Sequence, residues 1–255
     1  MPPRALKPVG VVLVDKPAGP SSFALVADLR RRTRARTGHA GTLDPFATGL
    51  LLLLSGAATK LAPCFSGLNK RYVTDVDLTR TTSTGDPEGE VLESHSPPSR
   101  PALDEALARL RGDVELPIPA ASAVKIGGER AYRLARRGVE VEMPLRRSHV
   151  RSLDVIAYNG DAEAGIETVR LDLHVSSGTY VRSIAHALGG HCRSLRRTMI
   201  GPFSVEEADP NRLVPPSEAL GRLPRGAAEQ VHESVRARVL ELEREAAAEH
   251  GAETP

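Results

Sequence analysis

The stretch TGHAGTLDPFATGLLLLL (residues 37–54) joins a chemically dense loop to a run of five leucines. The loop holds three glycines, a histidine at His39 and, five residues later, Asp44 followed by proline. An Asp-Pro pair is typical of a turn or a helix start. A plain turn does not need an acid, an imidazole and so much backbone freedom together, so the loop is a candidate functional site. The leucines, bounded by Gly49 and Gly56, indicate a buried strand, although the apolar run alone leaves a helix open.

The sequence before this loop predicts a strand, a turn and a basic helix. The strand spans Gly10–Val14, and Ser21 or Ser22 can cap the helix that follows, with Gly38 as its natural stop. Two arginine clusters are present: Arg30, Arg31, Arg32, Arg34 and Arg36, and then Arg193, Arg196 and Arg197. Clustered arginines suit a polyanionic partner, while a solvated helix face is the alternative that charge alone leaves open.

The sequence after the loop mixes strands and helices without a regular repeat. RYVTDVDLT (71–79) and TVRLDLHV (168–175) alternate as half-buried strands, whereas residues 80–100 predict a loop. TYVRSIAHALGG (179–190) and residues 228–251 predict helices. These elements favour an α/β (α+β) fold with a mixed, largely antiparallel sheet and flanking helices.

The composition excludes several classes of protein. With 40% hydrophobic and 26% charged residues among 255, the chain is typical of a soluble globular protein. No apolar run reaches the roughly 18 residues of a membrane span, and no export signal is visible, so a cytoplasmic location is expected. Cys64 and Cys192 form no pairing or metal-ligand pattern, and reduced thiols are expected.

Several catalytic motifs are absent from the sequence. It contains no phosphate-binding loop, no G-x-G-x-x-G, no H-E-x-x-H, no nucleophile-elbow G-x-S-x-G and no paired cysteines for zinc. An enzyme without these motifs must work with few groups, so neither a metal nor a cofactor is expected.

Five stretches resemble, in the same order, the motifs of the TruB family of tRNA pseudouridine synthases. The loop GHAGTLDPFATG (38–49) resembles the family's central motif G-H-x-G-x-L-D-P-x-A-x-G. The other four stretches are GVVLVDKPAGPSS (10–22), KRYVTDVDL (70–78), SAVKIGGERAYRLARRGVEVE (122–142), and SSGTYVRSIAHALG with LRRTMIGPF (176–203). The resemblance implies a pseudouridine synthase catalytic domain over residues 1–208, with a sheet of that family's type.

The resemblance implies an isomerase that acts on RNA without a cofactor. Family members convert a uridine in the T loop of tRNA, conventionally uridine-55, to pseudouridine after the base is flipped out of its stack. The residue that matches their essential aspartate is Asp44, whose carboxylate can act as a covalent nucleophile on the sugar or on the base. The implied partner is the T arm of tRNA, with no membrane, no obligate protein partner and a monomeric enzyme.

The resemblance also implies substrate-binding roles. Tyr72 matches the tyrosine that lies against the target base, and Arg182 matches the arginine that pairs with the aspartate and keeps it ionised. Tyr180 lies two residues before Arg182 in the same motif. The two side chains can lie on one side of a helical or extended segment only where the backbone is irregular. His39 matches the residue that braces the vacated stack.

Lys16 and Leu195 complete the implied site. Lys16 matches a structural or phosphate contact, and Leu195 matches an apolar residue that packs on the base pocket. Three positions depart from the family pattern, namely Ser83, Ala121 and Ala187. None of the three is a proposed catalytic residue, so activity is expected, with an altered fit to the substrate.

Residues 209–255 differ most from the family. Many bacterial members carry a C-terminal β-barrel of the PUA type that holds the acceptor arm, whereas these residues predict a short, mostly helical extension without a complete PUA domain. The T arm is then expected to supply most of the affinity for tRNA.

Three other functions compete with the isomerase. The first is a tRNA-binding or RNA-folding factor, although binding alone has no need of a nucleophile. The second is a pseudouridine synthase with a different RNA target, as in relatives that act on ribosomal RNA with a guide RNA. The third is a hydrolase that pairs Asp44 with a second carboxylate, but no second acid lies inside a matching motif.

Overall fold

The computed structural model describes residues 8–137, 139, 141–161 and 165–252. Its described residues form two compact units, one from residues up to Lys70 and from Arg196 onward, the other from Arg71–Leu195. The N-terminal residues 1–7, in which the sequence shows no export signal, lie outside the described residues.

The strands and helices follow one another along the chain in mixed order. The strands are β1 (Gly10–Lys16), β2 (Thr37–His39), β3 (Thr48–Ser55), β4 (Lys70–Asp77), β5 (Arg80–Thr82), β6 (Val91–Ser94), β7 (Gly112–Pro117), β8 (Lys125–Ile126), β9 (Glu129–Arg130), β10 (Leu145–Asp161), β11 (Gly165–Val175), β12 (His191–Ile200) and β13 (Phe203–Ser204). The helices are α1 (Ser22–Thr33), α2 (Ala62–Ser66), α3 (Arg100–Arg109), α4 (Ala131–Arg136), α5 (Val181–Ala187), α6 (Pro216–Gly221) and α7 (Glu233–Ala252).

The five-leucine run is the centre of the first unit. Leu50–Leu54 lie in β3 and are fully buried, which confirms the predicted strand. β3 pairs antiparallel with β1 and with β2, and parallel with the end of β12, where Arg196 faces Thr48. Both faces of β3 are covered, because one side packs against α1 and the other against the cluster that contains Phe65 and Phe203. A strand buried on both faces explains why the sequence shows an unbroken apolar run there.

Helix α1 begins as predicted and ends earlier than predicted. The Ser21 side chain accepts a hydrogen bond from the Ala24 N–H, so Ser21 is the N-cap. The predicted stop at Gly38 is wrong, since the C-cap is Arg34, whose backbone has φ 52° and whose N–H donates to the Arg30 carbonyl. Gly38 lies in β2 instead.

The second unit contains the larger part of the sheet, in the order β12-β4-β11-β10-β7. β10 pairs antiparallel with both β11 and β7. The alternation predicted for residues 71–79 and 168–175 is confirmed, because every second residue of these two stretches is buried. Together with the antiparallel pairs of the first unit, this confirms the predicted mixed, largely antiparallel α/β fold.

Residues 80–100 and β10 differ from the prediction. Residues 80–100 contain a hairpin of β5 and β6 and the start of α3, so the predicted loop is wrong at residues 80–82, 91–94 and 100 and holds between them. β10 was not predicted, because register shifts after Val150, Val155 and Asn159 interrupt its pairing with β11. Each bulge reverses the inside-outside alternation by which a strand is recognised in a sequence.

Residues 209–252 pack within the first unit and are largely helical. They contain α6 and α7, and Val239 on the predicted stripe of α7 is fully buried. Among the described helices, none combines the length and the apolar character needed to cross a membrane. The proposed boundary after residue 208 stays a prediction.

Candidate active site

The loop between β2 and β3 is clamped on the N-terminal side of Asp44. The buried hydroxyl of Ser22, the first residue of α1, donates to the Leu43 carbonyl at 2.8 Å and accepts from the Leu43 N–H at 2.8 Å. Both backbone groups of the residue before Asp44 are therefore held by one side chain. Such a two-way bond fixes the loop against the start of a helix.

A second clamp holds the residue after Asp44. The Pro45 carbonyl accepts hydrogen bonds from the Gly19 N–H at 2.9 Å and from the Lys16 ammonium at 3.0 Å. Lys16 is fully buried, and its ammonium also donates to the carbonyls of Pro17 and Pro20 at 2.8 Å. A buried ammonium bonded to three carbonyls stabilises the turn and the loop together. This geometry supports the structural reading of Lys16 over a phosphate contact.

Arg197 on β12 holds the two ends of the loop. Its fully buried guanidinium donates to the carbonyls of Leu50 at 2.7 Å, Gly41 at 3.1 Å and Thr42 at 3.2 Å. The backbone of Gly49 lies so close to that of Arg197 that a Cβ at position 49 would collide with the Arg197 carbonyl, and Gly49 also has φ 103°. Only glycine meets both demands.

The arginine cluster of residues 193–197 is thus not a uniform basic surface. Arg197 is buried in the loop clamp, and Arg196 forms two hydrogen bonds with the Asp15 carboxylate at 2.7 and 3.0 Å. Arg193 is exposed. The interpretation of all three as contacts for a polyanion is therefore wrong for Arg197.

His39 lies at the end of β2 and is half-buried. Its Nδ1 atom is buried, and no hydrogen-bond partner for it lies among the described residues. Burial and, to a smaller extent, the nearby charge of Arg197 hold the pKa of His39 below its ordinary value. A neutral imidazole at the edge of the loop presents a flat ring without a charge.

Lys70 is a buried cation beneath the same loop. Its ammonium donates to the carbonyls of Ser66 and Leu68, both at 2.6 Å. Burial first, and the charge of Arg197 second, lower the pKa of Lys70 to about 8. Lys70 belongs to the Lys-x-Tyr motif in the sequence, but the motif alone assigns it no role.

In the second unit, Arg182 is anchored by the loop that follows β5. Its buried guanidinium donates to the carbonyls of Thr84 at 2.6 Å and Ala121 at 3.0 Å, and lies 3.5 Å from the Asp86 carboxylate. Asp86 is itself buried and accepts from the Thr84 hydroxyl and from the Glu88 N–H. Asp86 was not predicted, since nothing in the sequence separates it from an ordinary turn residue.

The other predicted residues of the second unit lie on three elements. Tyr72 is buried on β4 and Leu195 is buried on β12. Tyr180 is the extended residue before α5, whereas Arg182 is the second residue of that helix. The backbone therefore changes from extended to helical between Tyr180 and Arg182.

The structure therefore groups the predicted residues in two sets. Lys16, His39 and Asp44 belong to the first unit, where Lys16 directly holds the Asp44 loop. The predicted residues of the second unit are Tyr72, Tyr180, Arg182 and Leu195. Within the part of the chain that the structure describes, no group of three or more His, Cys, Asp or Glu side chains is arranged to hold a metal ion.

Comparison with known families gives a match over most of this architecture. The model of the TruB family pseudouridylate synthase N-terminal domain matches residues 30–181. These residues include the Asp44 loop, β4 and the start of α5.

Individual relatives show the same similarity. The chain is 45% identical over 214 residues to tRNA pseudouridine synthase B of Mycobacterium leprae (strain TN), and 44% identical over 212 residues to that of Corynebacterium jeikeium (strain K411). Each match covers 78% of this chain, and 66% and 68% of the respective relative. The crystal structure of a Cbf5-Nop10-Gar1 complex has a TM-score of 0.57 and 27% identity, over 76% of this chain and 50% of that chain.

Proposed function

The chain belongs to the TruB family of pseudouridylate synthases, and we propose that it isomerises a uridine in the T loop of tRNA, uridine-55, to pseudouridine. The tRNA substrate is suggested by the relatives, which are named tRNA pseudouridine synthase B. The observation that carries the proposal is the immobilised Asp44, with both neighbouring residues clamped by buried side chains.

The reaction requires a carboxylate held in a fixed position, and it exchanges no atoms with a cofactor. The N1–C1′ glycosidic bond breaks, the uracil turns, and C5 forms a new bond to C1′. The proton on C5 is lost and N1 gains a proton, so substrate and product have the same composition. Since no oxidant or group donor takes part, one nucleophile and a proton carrier are sufficient.

Asp44 is the proposed nucleophile. A carboxylate that forms a covalent intermediate replaces one difficult step with two easier ones. Its benefit depends on its position, because small misplacements of a reacting group are costly in rate. The bonds from Ser22 to Leu43 and from Lys16 to Pro45 provide this restraint on both sides.

The proposed enzyme flips the uridine out of its stack before the reaction. Unstacking a base costs a few kcal/mol, which contacts elsewhere must offset. His39 is the proposed ring that braces the vacated stack, and its lowered pKa keeps it neutral near pH 7. The proposed uridine-binding residues of the second unit are Tyr72, Tyr180, Arg182 and Leu195.

We further propose that the protein acts as a monomer and alone. The test uses the purified chain, without cofactor, metal or protein partner, and an unmodified tRNA transcript. Pseudouridine is mapped by carbodiimide treatment and primer extension. The expected result is a single stop in the T loop with the wild-type protein.

Matched variants make the test specific for Asp44. Asp44→Ala is expected to abolish the stop while tRNA binding is retained. Glu105→Gln, which changes an exposed acid on α3, is expected to behave as wild type. No stop with the wild-type protein, although the tRNA binds, would favour a tRNA-binding factor. A stop elsewhere in the tRNA would show a different target uridine.

A further inference from the structure

The outer face of α1 carries an exposed aromatic ring. Phe23, in the first turn, is 65% exposed, although the chain contains only four phenylalanines and four tyrosines. Its neighbours on the inner face of the helix, Val26 and Leu29, are buried against β3. An exposed aromatic ring offers a flat face on which an unpaired nucleic-acid base can stack.

The arginines of α1 and the following segment fall into two groups. Arg31 and Arg32 share Asp28, at 2.9 and 3.2 Å, and Arg32 also donates to Asn211 and to the Pro210 carbonyl. Their charges are therefore partly compensated within the protein.

The second group consists of Arg30, Arg34 and Arg36. All three are exposed, and within the described part of the chain their guanidinium groups make no hydrogen bond or ion pair. A guanidinium has five N–H donors in a planar fork, which matches the oxygens of a phosphate group. Three such groups close together leave many donors available to an anionic partner.

Helical geometry places Phe23 and Arg30 on one side of α1. Arg30 follows Phe23 by seven residues, a spacing that brings side chains to the same face of a helix, and Arg34 is the C-cap that directly follows the last helical residue. Phe23 and Arg34 are about 16 Å apart along the axis at 1.5 Å per residue. The ring and the cations therefore form an elongated stripe, with Phe23 in the first turn of α1, Arg30 in its last turn, and Arg34 and Arg36 in the segment that follows.

The backbone at Arg34 is an independent sign of a role for its side chain. Among the described residues, Arg34 is the one non-glycine residue with positive φ, at 52°. Glycine is favoured at this position after a helix, because the left-handed conformation brings Cβ close to the following carbonyl. The chain keeps a long cationic side chain where glycine would be less strained.

The stripe is tied to the proposed catalytic loop. Ser22 immediately precedes Phe23 and holds both backbone groups of Leu43, next to Asp44. A molecule bound along α1 is therefore placed at a fixed position relative to the Asp44 backbone.

We propose that the stripe formed by Phe23, Arg30, Arg34 and Arg36 binds the tRNA beside its target loop. The arginines bind phosphates of the double-stranded stem, and Phe23 stacks on an unpaired base or ribose at the end of that stem. RNA stems are recognised mainly through backbone contacts, whereas unpaired bases stack on aromatic rings. The identity of the RNA as tRNA rests on the proposed function.

Equilibrium binding tests the stripe without any need for catalysis. A fluorescently labelled, unmodified tRNA transcript is titrated with wild-type protein and with the triple variant Arg30→Ala/Arg34→Ala/Arg36→Ala over a range of salt concentrations. The control, Arg109→Ala/Arg225→Ala/Arg244→Ala, removes three exposed arginines elsewhere. Both variants lower the formal net charge from +2 to −1.

The salt dependence identifies direct phosphate contacts. The slope of log K against log salt is expected to be shallower by about 2–3 for the α1 variant and nearly unchanged for the control. Equal losses of affinity in both variants, or no loss in the α1 variant, would overturn the proposal.

Phe23 is tested separately. Phe23→Ala is expected to weaken tRNA binding about 5-fold or more, while Phe23→Tyr keeps wild-type affinity because it retains the ring. Wild-type affinity in Phe23→Ala would remove the ring from the stripe. If the wild-type protein formed no pseudouridine, the proposed function would fail, but the same titrations would still decide whether α1 binds RNA.

Discussion

A single aspartate is useful for catalysis only if its backbone is held in place. Asp44 lies between Leu43, bonded to Ser22, and Pro45, bonded to Lys16 and Gly19. Ser22 and Lys16 make their bonds through side chains that are themselves buried and have little freedom to move. We therefore expect these residues to influence the rate of the reaction without touching the RNA.

Ser22 and its neighbour Ser21 provide a matched pair. Ser22→Ala leaves both backbone groups of Leu43 without their partner in a buried site, which costs about 1–3 kcal/mol, and is expected to lower kcat with little change in KM. Ser21→Ala removes only the N-cap, which costs about 0.5–2 kcal/mol, and should leave kcat unchanged. Steady-state kinetics and urea unfolding measure both effects. Equal values of kcat in the two variants would contradict the role of Ser22.

Lys70 gives a prediction for the dependence of stability on pH. Its pKa is about 8 in the folded protein and 10.5 in an ordinary environment, so between these values the unfolded chain binds more protons. The contribution of Lys70 to the free energy of unfolding therefore rises with pH through this window, by about 3 kcal/mol at 1.4 kcal/mol per pH unit. In Lys70→Met this rise is absent.

The measurement is urea unfolding of wild type and Lys70→Met at several pH values from 8 to 10.5. The difference between their free energies of unfolding is expected to change in favour of wild type as the pH increases. A difference that does not change with pH would show that Lys70 has its ordinary pKa in the folded protein.

Among the helices and strands, α1 has two proposed roles. Its first residue holds the Asp44 loop, and its end and following segment carry the exposed arginines. Arg34→Gly changes stability and RNA binding in opposite directions, because it relieves the strain of the left-handed backbone and removes one cation. We expect the free energy of unfolding to rise by about 0.5–1 kcal/mol, which is the roughly 1–2 kcal/mol of relieved strain less the backbone entropy that glycine loses, together with weaker binding of tRNA. Thermal unfolding and the tRNA titration measure the two changes, and a loss of stability would contradict the account of the cap.

The elements show what could be predicted from the sequence. β3, β4 and β11 were predicted because an apolar run or an unbroken alternation is visible in each. β10 was missed because its bulges reverse the alternation, and the end of α1 was misplaced because an arginine took the position that glycine usually occupies.

The candidate site was predictable only in part, for a related reason. Asp44, His39 and Lys16 lie in motifs that a reader of the sequence can recognise. Arg197 was grouped with the surface arginines, because its burial depends on carbonyls that lie about 150 residues earlier in the chain. Asp86 lies beside Arg182, but the sequence of its turn does not indicate that its carboxylate is buried next to an arginine.

As a whole, the molecule is proposed to convert uridine to pseudouridine with the Asp44 carboxylate. Because C5 exchanges its hydrogen for a bond to C1′, a tRNA transcript labelled with tritium at C5 of uridine should release label to water. We expect wild type to release about one tritium per tRNA at completion, and Asp44→Asn to be slower by about three orders of magnitude or more. Glu105→Gln should match wild type.

Binding must be measured alongside the release of tritium, so that a loss of rate is not a loss of affinity. We expect Asp44→Asn to bind the transcript as tightly as wild type and to release almost no label. Release from Asp44→Asn at the wild-type rate would show that the Asp44 carboxylate is not the nucleophile.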